Sequence, residues 1–545
     1  MPLVTQSSSC AGKPGKTRAA GVVMAQVLGL AALCWLRRHA LNPDGVAYVR
    51  IAGYYAHGRT DLAVSGYWGP LLSWLMTPWL AAGFPPLVAA RIVMAMTAVI
   101  FLLGCLRVFR AFQLSGREQF LGAWLGAAVS VCWSVENISP DLLAGGLIGF
   151  AFSGLLESQC GEKPSAAVSS GIWWGLAYLA KAAALPLALL VSFGTLAIIG
   201  FRNASELKRA ARLMLGTWFC IVLVAGPWVA VVSAKYHHLT ISRSAALNHA
   251  MVGPAGVERF YPLDRGFYEP EPGRVTFWED PDLPYPDWSP LESWANALHQ
   301  LDIIRWNLPV VVFMLACVSL VFPVLLVILP ARLTRPEWRR ALAGQQWPWA
   351  LLPVAAMGVA YAGGNLLLTE QRYFYAAFPF LFVAGAGACF HWKRNGTPVN
   401  PRRAVTWLMA AAFLAPTLAR PSLWRQPAAT AGECAWVMAQ KLSAAGIRGP
   451  VAGSASMPGG RAGLYVAFHL GEPWYGYPRR LTAEEFRQSR ALIIVVNREE
   501  PLAAELVSDG HFENLDGRLF SSPVRAEAFP LQAFELKQPG PGEQR

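Results

Sequence analysis

Residues 171–200 read GIWWGLAYLAKAAALPLALLVSFGTLAIIG, an apolar stretch whose single charge is Lys181. A bilayer is crossed by ~20 apolar residues, so this run is long for one crossing and short for two. Its reading sets the sidedness of everything after it. Two short helices, 171–181 and 182–200, return the chain to the face it left. The basic groups Lys13/Lys16/Arg18, Arg107/Arg110/Arg117, Arg202/Lys208/Arg209/Arg212, Arg332/Arg335/Arg339/Arg340 and Lys393/Arg394/Arg402/Arg403 then share one side. By the positive-inside rule that side is cytoplasmic. A single crossing would send the last three groups outside, so two helices are preferred. Only Arg37-Arg38, directly after the first span, disagrees.

Working outward, apolar windows near 19–36, 87–106, 118–135, 142–157, 213–234, 304–329, 347–368, 373–391 and 404–420 join this pair. Together they predict about eleven crossings at ~20 residues each. Composition agrees: 54% of the chain is hydrophobic and 14% charged, too apolar for an ordinary soluble protein. The net charge of +13 lies in small groups at span ends and forms no continuous basic face, which argues against nucleic acid as a partner. Six of the nine cysteines fall in or beside spans and no CxxC pair occurs, against a disulfide framework or a zinc ribbon. The apolar run 19–36 is too long for a signal-peptide core and lacks an A-x-A site, so it reads as an uncleaved first span.

This topology leaves four pieces outside: 37–86, the turn from Glu136 to Asp141, 235–303, and everything after about 421. The third contains Trp278-Glu279-Asp280-Pro281-Asp282-Leu283-Pro284-Tyr285-Pro286-Asp287-Trp288 and reads as a functional loop or a packing cover. In the tail, Glu433 to Ala445 predicts a helix with Ala435, Met438, Ala439 and Leu442 on one face and Gly446 as its stop. Thr482-Ala483-Glu484-Glu485 reads as a capping box and Ala491 to Val496 as a buried strand. The expected architecture is therefore mainly α: a multi-pass membrane domain, 1–420, and a small α/β extracytoplasmic domain, 421–545. A basic chain of bacterial type without an obvious retention signal points to the inner membrane, with the outer face toward the periplasm.

Several ionisable residues fall at span ends on that outer face. Asp44 follows the first span, Asp141 begins the fourth, Lys181 interrupts the opening stretch, and Arg372 precedes the tenth span. An ionisable group at membrane depth costs ~2.5–3.5 kcal/mol on insertion scales, so Lys181 needs a cavity or a partner. Structural roles compete: Asp44 and Asp141 as helix caps, Lys181 and Arg91 as snorkelling side chains, Asp61 as a solvated loop acid. Capping explains one residue at a time and leaves the gathering of acids and bases on one face unexplained.

Asn42-Pro43-Asp44-Gly45-Val46-Ala47-Tyr48, Gly66-Tyr67-Trp68-Gly69-Pro70-Leu71-Leu72-Ser73-Trp74-Leu75, Ser139-Pro140-Asp141-Leu142-Leu143, Tyr178-Leu179-Ala180-Lys181 and Glu370-Gln371-Arg372-Tyr373 occur in that order. The set resembles the GT-C superfamily of integral-membrane glycosyltransferases, in particular the branch of protein O-mannosyltransferases (glycosyltransferase family 39) and lipid A aminoarabinose transferases. The resemblance implies transfer of a sugar from a polyprenyl-phosphate donor to a glycan, lipid or protein acceptor on the outer face, usually with inversion. It implies Asp44 as catalytic base, Lys181 and Arg372 as phosphate-binding groups, and Asp141 as a second acid orienting substrate or binding a divalent ion. Asp61 and Arg91 are weaker substrate-binding candidates. The sequence departs from the pattern at Gly45, where many relatives carry a second acid. A divalent cation as cofactor therefore stays open, with Asp44 and Asp141 its candidate ligands. Two other classes also stay open: a transporter or flippase of lipid-linked sugars, and a non-catalytic membrane scaffold. No internal repeat of the kind common in transporters joins the two halves.

Overall fold

The structure, a computed structural model, describes residues 16–160, 164–254, 266–282, 285–334, 336, 345–363, 369–390, 393–394, 397–398, 403–420, 427–454, 461–477 and 482–537. Lys13, Leu283, Pro284, Arg335, Arg339, Arg340 and Arg402 lie outside the described residues, as does 364–368 at the end of an expected span. Within them the chain is mainly helical. The first helices are α1 (Lys16–Leu36), α2 (Pro43–Ala56), α3 (Pro70–Ala81), α4 (Pro86–Ala111), α5 (Gly116–Glu136) and α6 (Asp141–Cys160). Then come α7 (Pro164–Ala180), α8 (Ala184–Arg202), α9 (Leu207–Tyr236) and α10 (Arg243–Met251). The later helices toward the tail are α11 (Trp294–Val318), α12 (Val321–Leu333), α13 (Leu351–Gly363), α14 (Phe378–Phe390) and α15 (Arg403–Leu418). Among the described residues, five helices are long and apolar enough to cross a membrane: Pro86–Ala111, Asp141–Gln159, Ala184–Arg202, Ala204–Tyr236 and Trp294–Val318. Shorter apolar helices accompany them at Ala20–Leu36, Val321–Ala331 and Val405–Leu418.

The opening stretch is two helices. α7 ends at Ala180, Lys181 N donates to Ala177 O, and Ala184 N donates to Lys181 O to start α8. The motif at 66–75 explains how this break is held. A Cβ on Gly69 would lie 2.5 Å from Ala180 O and 2.6 Å from Leu179 O, so only a glycine lets that segment rest on the end of α7. Packing around α6 is closest against α7 and α4, where Gly104 meets the backbone of Gly146.

One expected span needs correction. The window 304–329 is not one helix, because Ser319 is extended (φ −160°, ψ 133°) between α11 and α12. Its neighbour supplies the reason. Pro416 inside α15 has no N–H to give to the carbonyl of Ala412, four residues earlier. Leu320 N takes that carbonyl at 2.9 Å, and Ser319 Oγ joins at 3.3 Å. Arg37, half of the dissenting basic pair, is buried; a buried arginine belongs to the packing of the fold and carries little weight as a topology signal.

The tail contributes α16 (Pro427–Ala444), β2 (Val451–Gly453), α17 (Ala462–Leu470), β3 (Trp474–Tyr477), β4 (Ile493–Asn497), β5 (Phe512–Asn514) and β6 (Leu531–Leu536). Ala435, Met438, Ala439 and Leu442 are all buried, and Gly446 ends the segment at φ +70°. β4 is buried along its whole length. The expected capping box does not form: Thr482 makes no side-chain cap bond, and Ala483 N donates instead to Glu505 Oε1 at 2.8 Å.

The sheet is not made by the tail alone. Its order is β1-β3-β2-β4-β6-β5, where β1 (Gly266–Phe267) comes from the 235–303 segment and pairs antiparallel with β3. Trp474 N donates to Val275 O and Tyr268 N to Tyr475 O, extending that seam. A single apolar core joins Tyr48, Val49 and Ala52 of α2 to Leu464, Tyr465 and Phe468 of α17. The tail is thereby packed directly onto the helix that carries Asp44.

Candidate active site

α2 begins at Pro43, with the extended Asn42 in the N-cap position. The Asn42 side chain makes no cap bond. It reaches across to Ile138, accepting from Ile138 N at 2.8 Å and donating to Ile138 O at 3.4 Å. That amide bridge ties the start of α2 to the turn before α6, bringing Asp44 and Asp141 together. Gly45 serves the same approach. A Cβ there would lie 2.8 Å from Asn42 Oδ1 and 3.0 Å from Ile138 Cβ, so an acid at 45 has no room beside this bridge.

Four of the expected residues meet. Arg372, in a 3-10 turn at Gln371–Ala377, has Nη1 2.6 Å from Asp44 Oδ2 and Nε 3.8 Å from Asp141 Oδ2. Lys181 Nζ donates to Asp141 Oδ1 and stands 3.8 Å from the ring centroid of Tyr373. Lys181 is therefore turned inward onto a carboxylate and an aromatic face, not snorkelling. Asp44 is not a cap, since Asn42 holds that position.

One member was not singled out from the sequence. Glu370 lies 2.7 Å from Arg372 Nε; its signal was its place two residues before Arg372 in the same motif. Burial pushes the Glu370 carboxyl above its ordinary value, opposed by Arg372 and reinforced by Asp44.

Asp61 and Arg91 lie elsewhere. Asp61 is exposed and pairs with Arg59 at 2.8 Å. Arg91 is buried and donates to the carbonyls of Val135 and Ala40. It is a brace behind the site, joining the end of α5 to the approach of α2.

The cluster opens into a cavity of about 470 Å³, within the range of small-molecule sites. Its walls include Asp44, Asp141, Lys181 and Arg372, the aromatic Trp68 and Trp278, and Arg461 from the tail. Residues 275–280 are docked firmly onto this wall. Trp68 Nε1 donates to Trp278 O at 2.6 Å. Buried Glu279 accepts from Tyr54 Oη at 2.6 Å and from Val275 N and Thr276 N at 2.9 Å each. Asp280 accepts from Tyr236 Oη at 2.6 Å and from Lys235 Nζ at 2.5 Å. These contacts make the loop a packing cover, and Thr276 and Trp278 within it line the cavity.

The residues present do not suit a divalent ion in this arrangement. Among the described residues no three or more His, Cys, Asp or Glu side chains converge as a metal site. Between Asp44 and Asp141, where an ion would have to stand, the Arg372 guanidinium bridges the two carboxylates.

Helices of this order, a break at Lys181, a mixed sheet and a charged cavity between them form a fold shared with a solved membrane protein, ArnT. The crystal structure of ArnT from Cupriavidus metallidurans bound to undecaprenyl phosphate superposes with a TM-score of 0.52 at 14% identity, over 96% of this chain and 100% of that one. Its apo state gives a TM-score of 0.48 at 14% identity over the same shares. The mycobacterial arabinofuranosyltransferase AftD gives 0.41 at 11% identity, over 95% of this chain and 40% of that one. No protein-family model matches the chain, and no curated protein matches it by sequence.

Proposed function

We propose that this protein is a membrane glycosyltransferase that moves a sugar from a polyprenyl-phosphate donor to an acceptor at the outer, periplasmic face of the inner membrane, with inversion. The observation that carries this reading is the meeting of Asp44, Asp141, Lys181 and Arg372 in one cavity, though they come from four separate segments. The ArnT fold, solved with undecaprenyl phosphate bound, supports a lipid phosphate as the donor's carrier.

The chemistry follows from the groups. An acceptor hydroxyl attacks the anomeric carbon while the bond from that carbon to the phosphate oxygen breaks, through a transition state with oxocarbenium character. The hydroxyl proton passes to Asp44. Arg372 engages Oδ2 of Asp44, and a carboxylate has a second oxygen to accept that proton. The lipid phosphate leaves with the bonding electron pair, and cations aimed at the growing charge stabilise its departure. Lys181 and Arg372 fill that role, while Asp141 orients Lys181. Because both cations already contact carboxylates, an arriving phosphate competes for them. Donor binding then loosens Arg372 from Asp44 at the step where the base is needed.

Purified protein in nanodiscs, given a lipid-linked sugar and candidate acceptors, tests this by mass spectrometry of product and spent carrier. Asp44→Asn is expected to lower kcat by about 10²–10⁴-fold while leaving donor binding within a few fold. Full turnover by that variant would remove Asp44 as the base. Movement of the lipid across the bilayer without transfer would favour a flippase.

A further inference from the structure

The cavity's charges do not all come from the helices before residue 420. Asp44, Asp141 and Glu370 oppose Lys181 and Arg372, and among the described residues the wall's further cation is Arg461, from the tail. Lys181 is committed to Asp141, and Arg372 is shared among three carboxylates. A phosphate entering this set meets an excess of acid unless a further positive charge stands in the wall.

Arg461 is held there by packing. It immediately precedes α17, whose Leu464, Tyr465 and Phe468 share a core with Tyr48, Val49 and Ala52 of α2. Tyr465 lies within electrostatic reach of both Arg461 and Asp44, so the start of α17 faces the same end of α2 as the carboxylate. β3, next in the chain, is joined through β1 and Val275 to the loop that supplies Trp278 to the cavity. The tail thus meets the cavity both directly, through Arg461, and by way of that loop.

We propose that Arg461 binds the phosphate of the lipid-linked substrate, so that the anion subsite is shared between the membrane helices and the C-terminal segment. Guanidinium suits this position because its planar N–H pairs engage phosphate oxygens two at a time. The inference rests on the glycosyltransferase reading and adds to it that the tail supplies a substrate-binding residue.

The test compares binding of undecaprenyl phosphate and of uncharged undecaprenol to the full-length protein in nanodiscs, followed by native mass spectrometry. The wild type is expected to prefer the phosphate. Arg461→Gln is expected to reduce that preference about ten- to hundredfold, the scale of a lost charge-assisted contact. Arg461→Lys, which keeps the charge without the planar fork, is expected to fall between, and carries the test if the glutamine variant does not purify. Undecaprenol affinity and the melting temperature should stay constant. If the wild type shows no preference for the phosphate, the lipid-phosphate reading itself fails. If the wild type prefers the phosphate, Lys181→Ala loses that preference and Arg461→Gln keeps it in full, the donor reading stands and the assignment of Arg461 is overturned.

Discussion

At the scale of single residues, the site is made by small groups as much as by charged ones. Gly45 leaves no room for a second acid: a Cβ there would meet the Asn42 amide and Ile138. Gly45→Ala forces that bridge apart, and a loss of about 1–3 kcal/mol is expected, the usual cost of overpacking. Thermal melting in detergent measures it, and an unchanged melting temperature would mean the Asn42–Ile138 bridge yields freely. Charged residues were legible in the sequence because a charge beside an apolar span needs a reason. Asp44, Asp141, Lys181 and Arg372 all fall in that class. Arg461 carried no such signal, since it lies in a polar tail where an arginine is ordinary. Asp61 is the solvated acid its polar loop suggested, whereas Arg91, which reads as a snorkelling side chain, is a buried brace, a difference that packing decides.

At the scale of elements, the break at Lys181 was readable because a single crossing there would send the three following basic groups outside. The break between α11 and α12 was not, because its cause is in another helix: the carbonyl that Pro416 leaves unpaired. Long-range capture of this kind has no local signature. The 266–288 segment poses the same difficulty. Nothing in its sequence tells which of its acids is buried, yet Glu279 is fully buried, and burial raises its carboxyl above the ordinary value despite Arg50 and the bond from Tyr54. Glu279→Ala leaves Tyr54 Oη short of one partner and strands two backbone N–H groups. A local cost of about 1–3 kcal/mol for each buried group left unpaired is expected. Hydrogen exchange at residues 274–280 should quicken while the spans stay protected; unchanged exchange there would show that the seam with β3 alone holds the loop.

At the scale of the whole molecule, the tail and the helix bundle share a core, and acid stability reports on that junction. His469, at the end of α17, is pushed down to about 4 by burial, with His39 adding to the effect. The native chain therefore keeps this imidazole neutral where the unfolded chain binds a proton. Its stabilising contribution is complete above pH ~6.5 and is lost as pH falls to about 4, on the order of 3 kcal/mol. Melting at pH 7 and pH 4.5 should show a smaller acid-induced drop for His469→Gln than for the wild type; equal drops would assign acid sensitivity elsewhere. The long apolar helices were legible from hydropathy, and the tail's helix and central strand from periodicity. Their mutual docking was not, because neither α2 nor α17 has a sequence pattern that names the other as its partner.

The pairing of Gly266 with Tyr477 also imposes an order on biogenesis. Ribosomes add ~5–20 residues per second, so the strand that completes β1 emerges roughly 10–40 s after it. Throughout that interval the loop bearing Trp278 has an unpaired edge and the cavity lacks the contribution of Arg461. A nascent chain therefore has its spans before the wall of its cavity is complete, and that wall closes only after the tail has been delivered and folded.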